Sequence, residues 1–404
     1  MNDKFMSAFT FRIIRTLGPI LFLWAAAAGA VEPVFGDGLT APRFWEGERV
    51  TRCHGMTTEE VARCVGDLMI SYDHHAHSYR TAVILYGLII LSDVTGDPKY
   101  YDWVKDFWDY YLDHVDQLAG EDYLDIPTMD EFADLKMCPW CLLSEPNITD
   151  NPEVRPPMPM MKRFPDGSLA ARPWWEGRRA GGPSLWELAL RTKEKKYIDA
   201  LGLDRPRRSR RAGRDSDALA NYPKRIVDGA PGSANMAREA VLTGDDSHFD
   251  RALDNVLYFE KRHWNAELGL FHQGFGYGVH RTNVSPSIWC RGTGWWLYGA
   301  IEALEMVPKD RPGYDDLLDL FRRNIEGIKR AQDSSGMLHQ CVDRWDSYPE
   351  TSGTPLMIFA VAKAVRLGLL SKDYVHMARK GFEGLKGYID TTGIIRNCCI
   401  GCGA

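Results

Sequence analysis

The sequence lacks an excess of positive charge. Lysine and arginine number 49 against 55 aspartates and glutamates, for a formal net charge of −6. The chain as a whole therefore carries no electrostatic footprint for nucleic acid. It also lacks a second apolar run of membrane length. Residues 85–91 are too short to cross a bilayer and are followed by charge. Nor does it contain runs of alternating apolar and polar residues, so no sheet architecture competes for the fold. Disorder is excluded by composition, because 45% of the 404 residues are hydrophobic. That length and composition suit one large domain or two ordinary ones.

What the chain does hold is aromatic. It has 13 Trp and 17 Tyr, as expected of a thick aromatic core or of a surface for flat, amphipathic ligands. Residues 1–30 read as an export signal: Lys4, Arg12 and Arg15 form a basic start, residues 17–24 an apolar run, and Ala28-Gly29-Ala30 a peptidase site. The reading predicts a secreted, periplasmic or extracellular protein with no stable membrane insertion after cleavage, the alternative being an uncleaved anchor. Nine cysteines include the C-x-x-C pairs Cys138/Cys141 and Cys399/Cys402. Export favours disulfides, and the two pairs could alternatively hold a structural zinc. The pattern sets no oligomeric state.

Residues 31–57 form a Pro- and Gly-rich lead-in. Helical patterns then run over residues 58–72 and 78–93. The turn Thr95-Gly96-Asp97-Pro98 follows, and Tyr100, Trp103, Val104, Phe107, Trp108 and Tyr111 mark the apolar face of the next helix. Related turns recur at Thr192-Lys193-Glu194 and Thr243-Gly244-Asp245, each preceded by an apolar helix. A third kind of polar turn spans residues 310–314. Recurring helical hairpins of this length predict an all-α array, and closing the array into a ring leaves a funnel at one end for a ligand. Residues 142–183 read as a Pro/Gly-rich loop insertion. Residues 204–214 are an Arg-rich run, read as a surface loop. Residues 397–404 are a cysteine-rich tail, so the helical domain is drawn over 58–396.

Candidate chemistry lies between the helices. Trp289-Cys290-Arg291-Gly292-Thr293-Gly294-Trp295-Trp296 places a cation among indole rings. A guanidinium matches a carboxylate in two bonds, and a Trp face suits a sugar ring. Arg291 and Trp295 are four apart and share a helix face. Asp228 lies between Pro223 and Gly229 on a loop that opens the next helix, where a plain N-cap is the alternative role. His272 and Gln273 sit on a glycine-flanked loop, and His339 and Tyr348 on later ones.

These segments, in order, resemble the unsaturated glycuronyl hydrolases. The residues that carry the likeness are Tyr222-Pro223, Val227-Asp228-Gly229, Gly269-Leu270-Phe271-His272, Ser285-Pro286 with Trp289, Arg291-Gly292 and Gly294-Trp295, Gln332-Asp333 with Gly336, Gln340 and Asp343, and Tyr348 with Glu350-Thr351-Ser352-Gly353-Thr354. The likeness is strongest to the rhamnogalacturonyl branch, glycoside hydrolase family 105, related to family 88. It implies an (α/α)6 barrel. It also implies release of 4,5-unsaturated uronic acid from lyase-generated acidic oligosaccharides by hydration of the double bond, with no cofactor and no metal. By that likeness Asp228 is the general acid and base, and Arg291 and Trp295 hold the uronate. His272, Gln273, Trp289, His339 and Tyr348 line the substrate. The chain departs from the family at Ala230-Pro231-Gly232-Ser233, and the family's second aspartate falls at Glu176 or Gly177.

Overall fold

The computed structural model describes residues 52–71, 79–113, 161–163, 169–171, 182–203, 225–275 and 284–399. Among them helices dominate: α1 (Thr58–Ile70), α2 (Tyr79–Thr95), α3 (Lys99–Asp113), α4 (Pro183–Thr192), α5 (Lys195–Leu201), α6 (Gly232–Thr243), α7 (Ser247–Leu257), α8 (Cys290–Met306), α9 (Tyr314–Ala331), α10 (Gly353–Arg366) and α11 (Val375–Lys386). The strands are short antiparallel pairs: β1 (Met161–Arg163) with β2 (Leu169–Ala171), β3 (Arg225–Ile226) with β6 (Gly274–Phe275), β4 (Trp264–Asn265) with β5 (Leu270–Phe271), and β7 (Leu338–His339) with β8 (Pro349–Glu350). The fold is the all-α (α/α)6 barrel that the family resemblance implies, in agreement with the ring of helical hairpins read from the repeat.

Two kinds of helix alternate along the chain. In α8, residues 290–304 are all buried, and in α10 residues 353–365 are. A helix buried on every side belongs to an inner layer. By contrast, α7 and α9 bury one stripe, Phe249, Ala252, Leu253 and Val256 in α7 and Leu317, Leu320, Phe321, Ile325 and Ile328 in α9. These amphipathic helices form the outer wall. At the ends of the described chain, Cys53 N–H donates to Ile389 O at 3.1 Å and Arg52 bridges Asp390, which joins the first helices to the last.

The recurring turn is one physical device. Thr95 Oγ1 donates to Leu91 O, Thr192 Oγ1 to Leu188 O and Thr243 Oγ1 to Glu239 O. Each hydroxyl then accepts from the backbone N–H two residues on, in Asp97, Glu194 and Asp245. The intervening residue is left-handed, with φ of 69° at Gly96, 57° at Lys193 and 72° at Gly244. Lys193 alone pays the Cβ cost of that conformation. Lys193→Gly is therefore expected to change stability by no more than about 1 kcal/mol, in the stabilising direction, in a denaturant titration.

The export signal, Glu176, the Arg-rich run and Cys138, Cys141 and Cys402 lie outside the described residues. Of the 142–183 insertion, the β1–β2 pair is described. The tail is stitched into the barrel: Thr351 N–H donates to Asn397 O, and Cys399 N–H donates to Glu350.

Candidate active site

Asp228 is not a helix N-cap. It occupies a single 3-10 turn, Val227–Gly229, while Pro231 caps α6. The turn is fixed from two sides. Val227 N–H donates to Gln273 O at 2.9 Å, extending the β3–β6 pair. Asn255 Nδ2 donates to Gly229 O and Ser233 Oγ, both at 3.0 Å. Asp228 itself is half-buried, and its Oδ1 accepts from Gln273 Nε2 at 2.9 Å.

Gln273 joins this turn to the start of α8. A Cβ at Gly292 would stand 1.9 Å from Gln273 Oε1, so the glycine leaves the space the amide fills. That Oε1 is buried and has no hydrogen-bond partner among the described residues. A second glycine of α8, Gly299, lets the Ala230 carbonyl approach to where a Cβ would meet it at 2.3 Å. The loop carrying Asp228 thus rests on α8 at two glycines. Gly292→Ala displaces the flexible end of Gln273, not backbone. It is expected to cost less than about 1.5 kcal/mol in stability. It should also lower turnover by up to about 100-fold by misplacing the Asp228 carboxyl, as read from paired melting and rate measurements.

Arg291 and Trp289, both buried, pack on each other at the start of α8. The guanidinium lies 4.4 Å from the Trp289 ring centroid, a cation–π stack. Its Nη1 donates to Cys399 O at 2.5 Å and Ser352 Oγ at 3.2 Å. Trp289 Nε1 and Gln340 Nε2 both point to Cys399 Sγ, at 3.2 and 3.0 Å. Glu350, fully buried, accepts from Ser352 N–H, Gly353 N–H and Cys399 N–H at the first turn of α10. A carboxylate there meets unpaired helix N–H groups and the positive end of the helix dipole. Burial, followed by the charge of Glu350, pushes the Cys290 thiol well up. Cys53, Cys64, Cys290 and Cys341 are free thiols. Among the described residues, no group of His, Cys, Asp and Glu has an arrangement that could hold a metal.

The other candidates are placed less centrally. Trp295 is in the core, 2% exposed. His272 sits against Asn265, with Nε2 3.4 Å from Nδ2. His339 is clasped on both nitrogens, by Ser347 O and by Asp333 Oδ2 at 3.1 Å. Asp333 also accepts from Ser335 Oγ and Met337 N–H. Burial alone would raise its pKa, but the Ser335 and His339 bonds outweigh it and hold the carboxyl below its usual value. Such a group stays ionised and does not serve as a proton donor. Tyr348 is 39% exposed and Trp345 59% exposed, and the Trp345 ring meets His339 edge-on at 5.7 Å. Trp345 is a feature that motif reading missed, and the contacts of Glu350 and Cys399 around Arg291 were not read from their motifs. A tryptophan among Asp343, Arg344, Asp346 and Ser347 was the available signal for Trp345.

Known proteins share this plan. Residues 232–404 match the model of Glycosyl Hydrolase Family 88. A protein of Agrobacterium fabrum is 32% identical over 111 residues, 26% of this chain and 47% of that protein. The unsaturated 3S-rhamnoglycuronyl hydrolase of an Alteromonas species is 30% identical over 142 residues, 32% of this chain and 34% of that enzyme. The chain thus spans less than half the length of these curated relatives in the matched regions. Among solved structures, a family 105 glycoside hydrolase of C. acetobutylicum superposes with a TM-score of 0.56 at 18% identity, covering 82% of each chain. A polysaccharide lyase superposes with a TM-score of 0.58 at 14% identity, covering 84% of this chain and 86% of its own. Both likenesses concern the fold, and they carry different reactions on it.

Proposed function

We propose that this chain, a relative of glycosyl hydrolase family 88 across residues 232–404, releases 4,5-unsaturated uronic acid from the non-reducing end of acidic oligosaccharides, of the pectin or rhamnogalacturonan type, left by a lyase. The observation that carries the reading is the Asp228–Gln273–Gly292 contact, which brings three separate motif segments to one place. Asp228 gives its proton to C4 of the unsaturated ring, water adds at C5, and the carboxylate takes the proton released by that water. The resulting hemiketal opens and expels the next sugar. One carboxyl thereby serves as acid and then base. Because Gln273 donates to Oδ1, the transferable proton is assigned to Oδ2. In this reading Arg291, stacked over Trp289, meets the uronate carboxylate, for which a guanidinium fork is suited. Tyr348 and Trp345 offer exposed surfaces for the following sugars. On the strength of residues 1–30, the reaction is placed outside the cytoplasm.

The experiment follows the ultraviolet absorbance of the unsaturated bond. Incubation with lyase-generated pectin disaccharides should abolish it. The lyase reading, favoured by the second superposition, instead predicts a rise on intact polysaccharide. A rise of that kind, or no change on the disaccharides, rejects the hydrolase assignment.

A further inference from the structure

A cleft opens on the outer wall, sharing no residue with the Asp228 site. It has a volume of about 620 Å³ between α9, the β4–β5 turn and the turn joining α10 to α11. Its chemistry is set by Trp264, Arg322, Arg323, Glu326, Arg330 and Tyr374. Arg322, Glu326 and Arg330 recur every fourth residue and share one face of α9. The two arginines therefore stand two turns apart, ~12 Å along the axis.

The two arginines together exceed the one carboxylate, Glu326, that stands between them. Arg322 donates from Nε and Nη2 to Leu369 O, at 3.1 and 3.0 Å, and Arg330 Nη2 donates to Leu268 O at 2.8 Å. Carbonyl oxygens orient a guanidinium without neutralising it. Among the described residues the hydrogen bonds of both arginines go to carbonyl oxygens and not to a carboxylate. Arg323 differs, because Glu260 and Asp319 pair with it at 2.6 and 2.8 Å. Its guanidinium instead covers the Trp264 ring at 5.3 Å. Glu326 is engaged by the Tyr374 hydroxyl, and the Tyr374 ring carries Lys329 Nζ at 5.0 Å. The cleft thus holds a surplus of arginine over carboxylate in a protein of net charge −6, with two half-buried aromatic rings, Trp264 and Tyr374, in its lining. Exposed guanidinium groups and aromatic faces together suit sugar rings that bear carboxylates. Two separated charges ask for a chain of them, not a single small anion.

We infer that this cleft is an accessory binding site for a uronate-containing oligosaccharide, remote from the reacting end. The inference rests on the reading that the protein handles acidic oligosaccharides, but it concerns binding and not turnover. The β4–β5 turn that forms one edge of the cleft leads through Leu270 and Phe271 to Gln273, so both sites are built on the same hairpin.

The test uses saturated hexagalacturonate, which has no unsaturated end, with calorimetry on the full chain. The double variant Arg322→Gln/Arg330→Gln keeps an N–H donor for each carbonyl while removing both charges. Its melting temperature is measured alongside to confirm folding. Affinity should fall at least about tenfold, and wild-type binding should weaken with salt. Hydrolysis of the unsaturated disaccharide should change by less than about twofold, since the added terms are local. Absence of wild-type binding, equal binding by the variant, equal binding of a neutral hexasaccharide, or displacement by equimolar inorganic phosphate would each overturn the inference. Hexagalacturonate binding that depends on the arginines, without disaccharide hydrolysis, would reject the proposed reaction and leave the cleft assignment standing.

Discussion

Asp228→Asn is expected to lower turnover of unsaturated disaccharides by roughly 10³-fold while leaving the fold intact. The substitution keeps size and shape. Its new amide would face Gln273 Nε2, but a flip of the Gln273 amide restores a donor–acceptor pair, because Gln273 Oε1 is otherwise without a partner. Thermal melting should therefore move little, and substrate affinity should persist. The rate should fall at every pH, not through a displaced optimum, since the transferable proton itself is gone. Turnover within tenfold of wild type in a folded variant would remove Asp228 from the role. Neither Asp333 nor Glu350 is a ready substitute. Asp333 is held ionised by Ser335 and His339, and Glu350 is fully buried under the backbone of α10 and Cys399.

Much of this arrangement was readable before any coordinates. The hairpin repeat was visible because its turn requires a threonine hydroxyl, a left-handed residue and a polar residue in succession, and that chemistry is local. The nearness of Asp228 to Gln273 was not legible from spacing, since it depends on the pairing of β3 with β6. The role of Gly292 was equally hidden. Its missing Cβ has meaning only when Gln273 is already in place. The burial of Arg291 and Trp295 was legible only in part: an apolar stripe marks a core face, but α8 is covered on all sides by its neighbours. The partners of Arg291 come from Ser352 and Cys399, whose sequence positions announce nothing about it. Motif order therefore identified the segments, whereas long-range packing decides which atoms meet.

The largest stability effect is expected away from the site, at Glu302. Five helices converge on it or its partners: Tyr86 of α2, Glu187 of α4, Arg238 of α6, Glu302 of α8 and Lys363 of α10. Arg238 Nη2 reaches Glu302 at 2.6 Å and its Nε reaches Glu187 at 2.8 Å. Lys363 pairs with Glu302 and, at 2.5 Å, with Glu305. Tyr86 donates its hydroxyl to Glu302 at 3.1 Å, and Arg238 stacks on the Tyr86 ring at 4.9 Å. Sequence alone gives these residues no sign of acting together, because they lie on five separate helices far apart along the chain. Glu302→Ala removes the carboxylate that the buried Arg238 and Lys363 share and leaves each with one outer partner, Glu187 and Glu305, and should cost about 3 kcal/mol in denaturant unfolding. Replacing the network with apolar residues of matching volume should cost far less, because the penalty comes from unpaired charge. The same group sets an acid limit. Burial alone would raise the Glu302 pKa, but Lys363 and Arg238 overcome it and depress the value from 4.5 to about 2. A depressed carboxyl contributes its full stability above its unfolded pKa. That contribution, on the order of 3 kcal/mol, is lost as pH falls from about 4.5 toward 2. Glu302→Gln should abolish this part of the pH dependence. An unchanged slope of stability against pH in that window would show that other carboxylates govern acid unfolding.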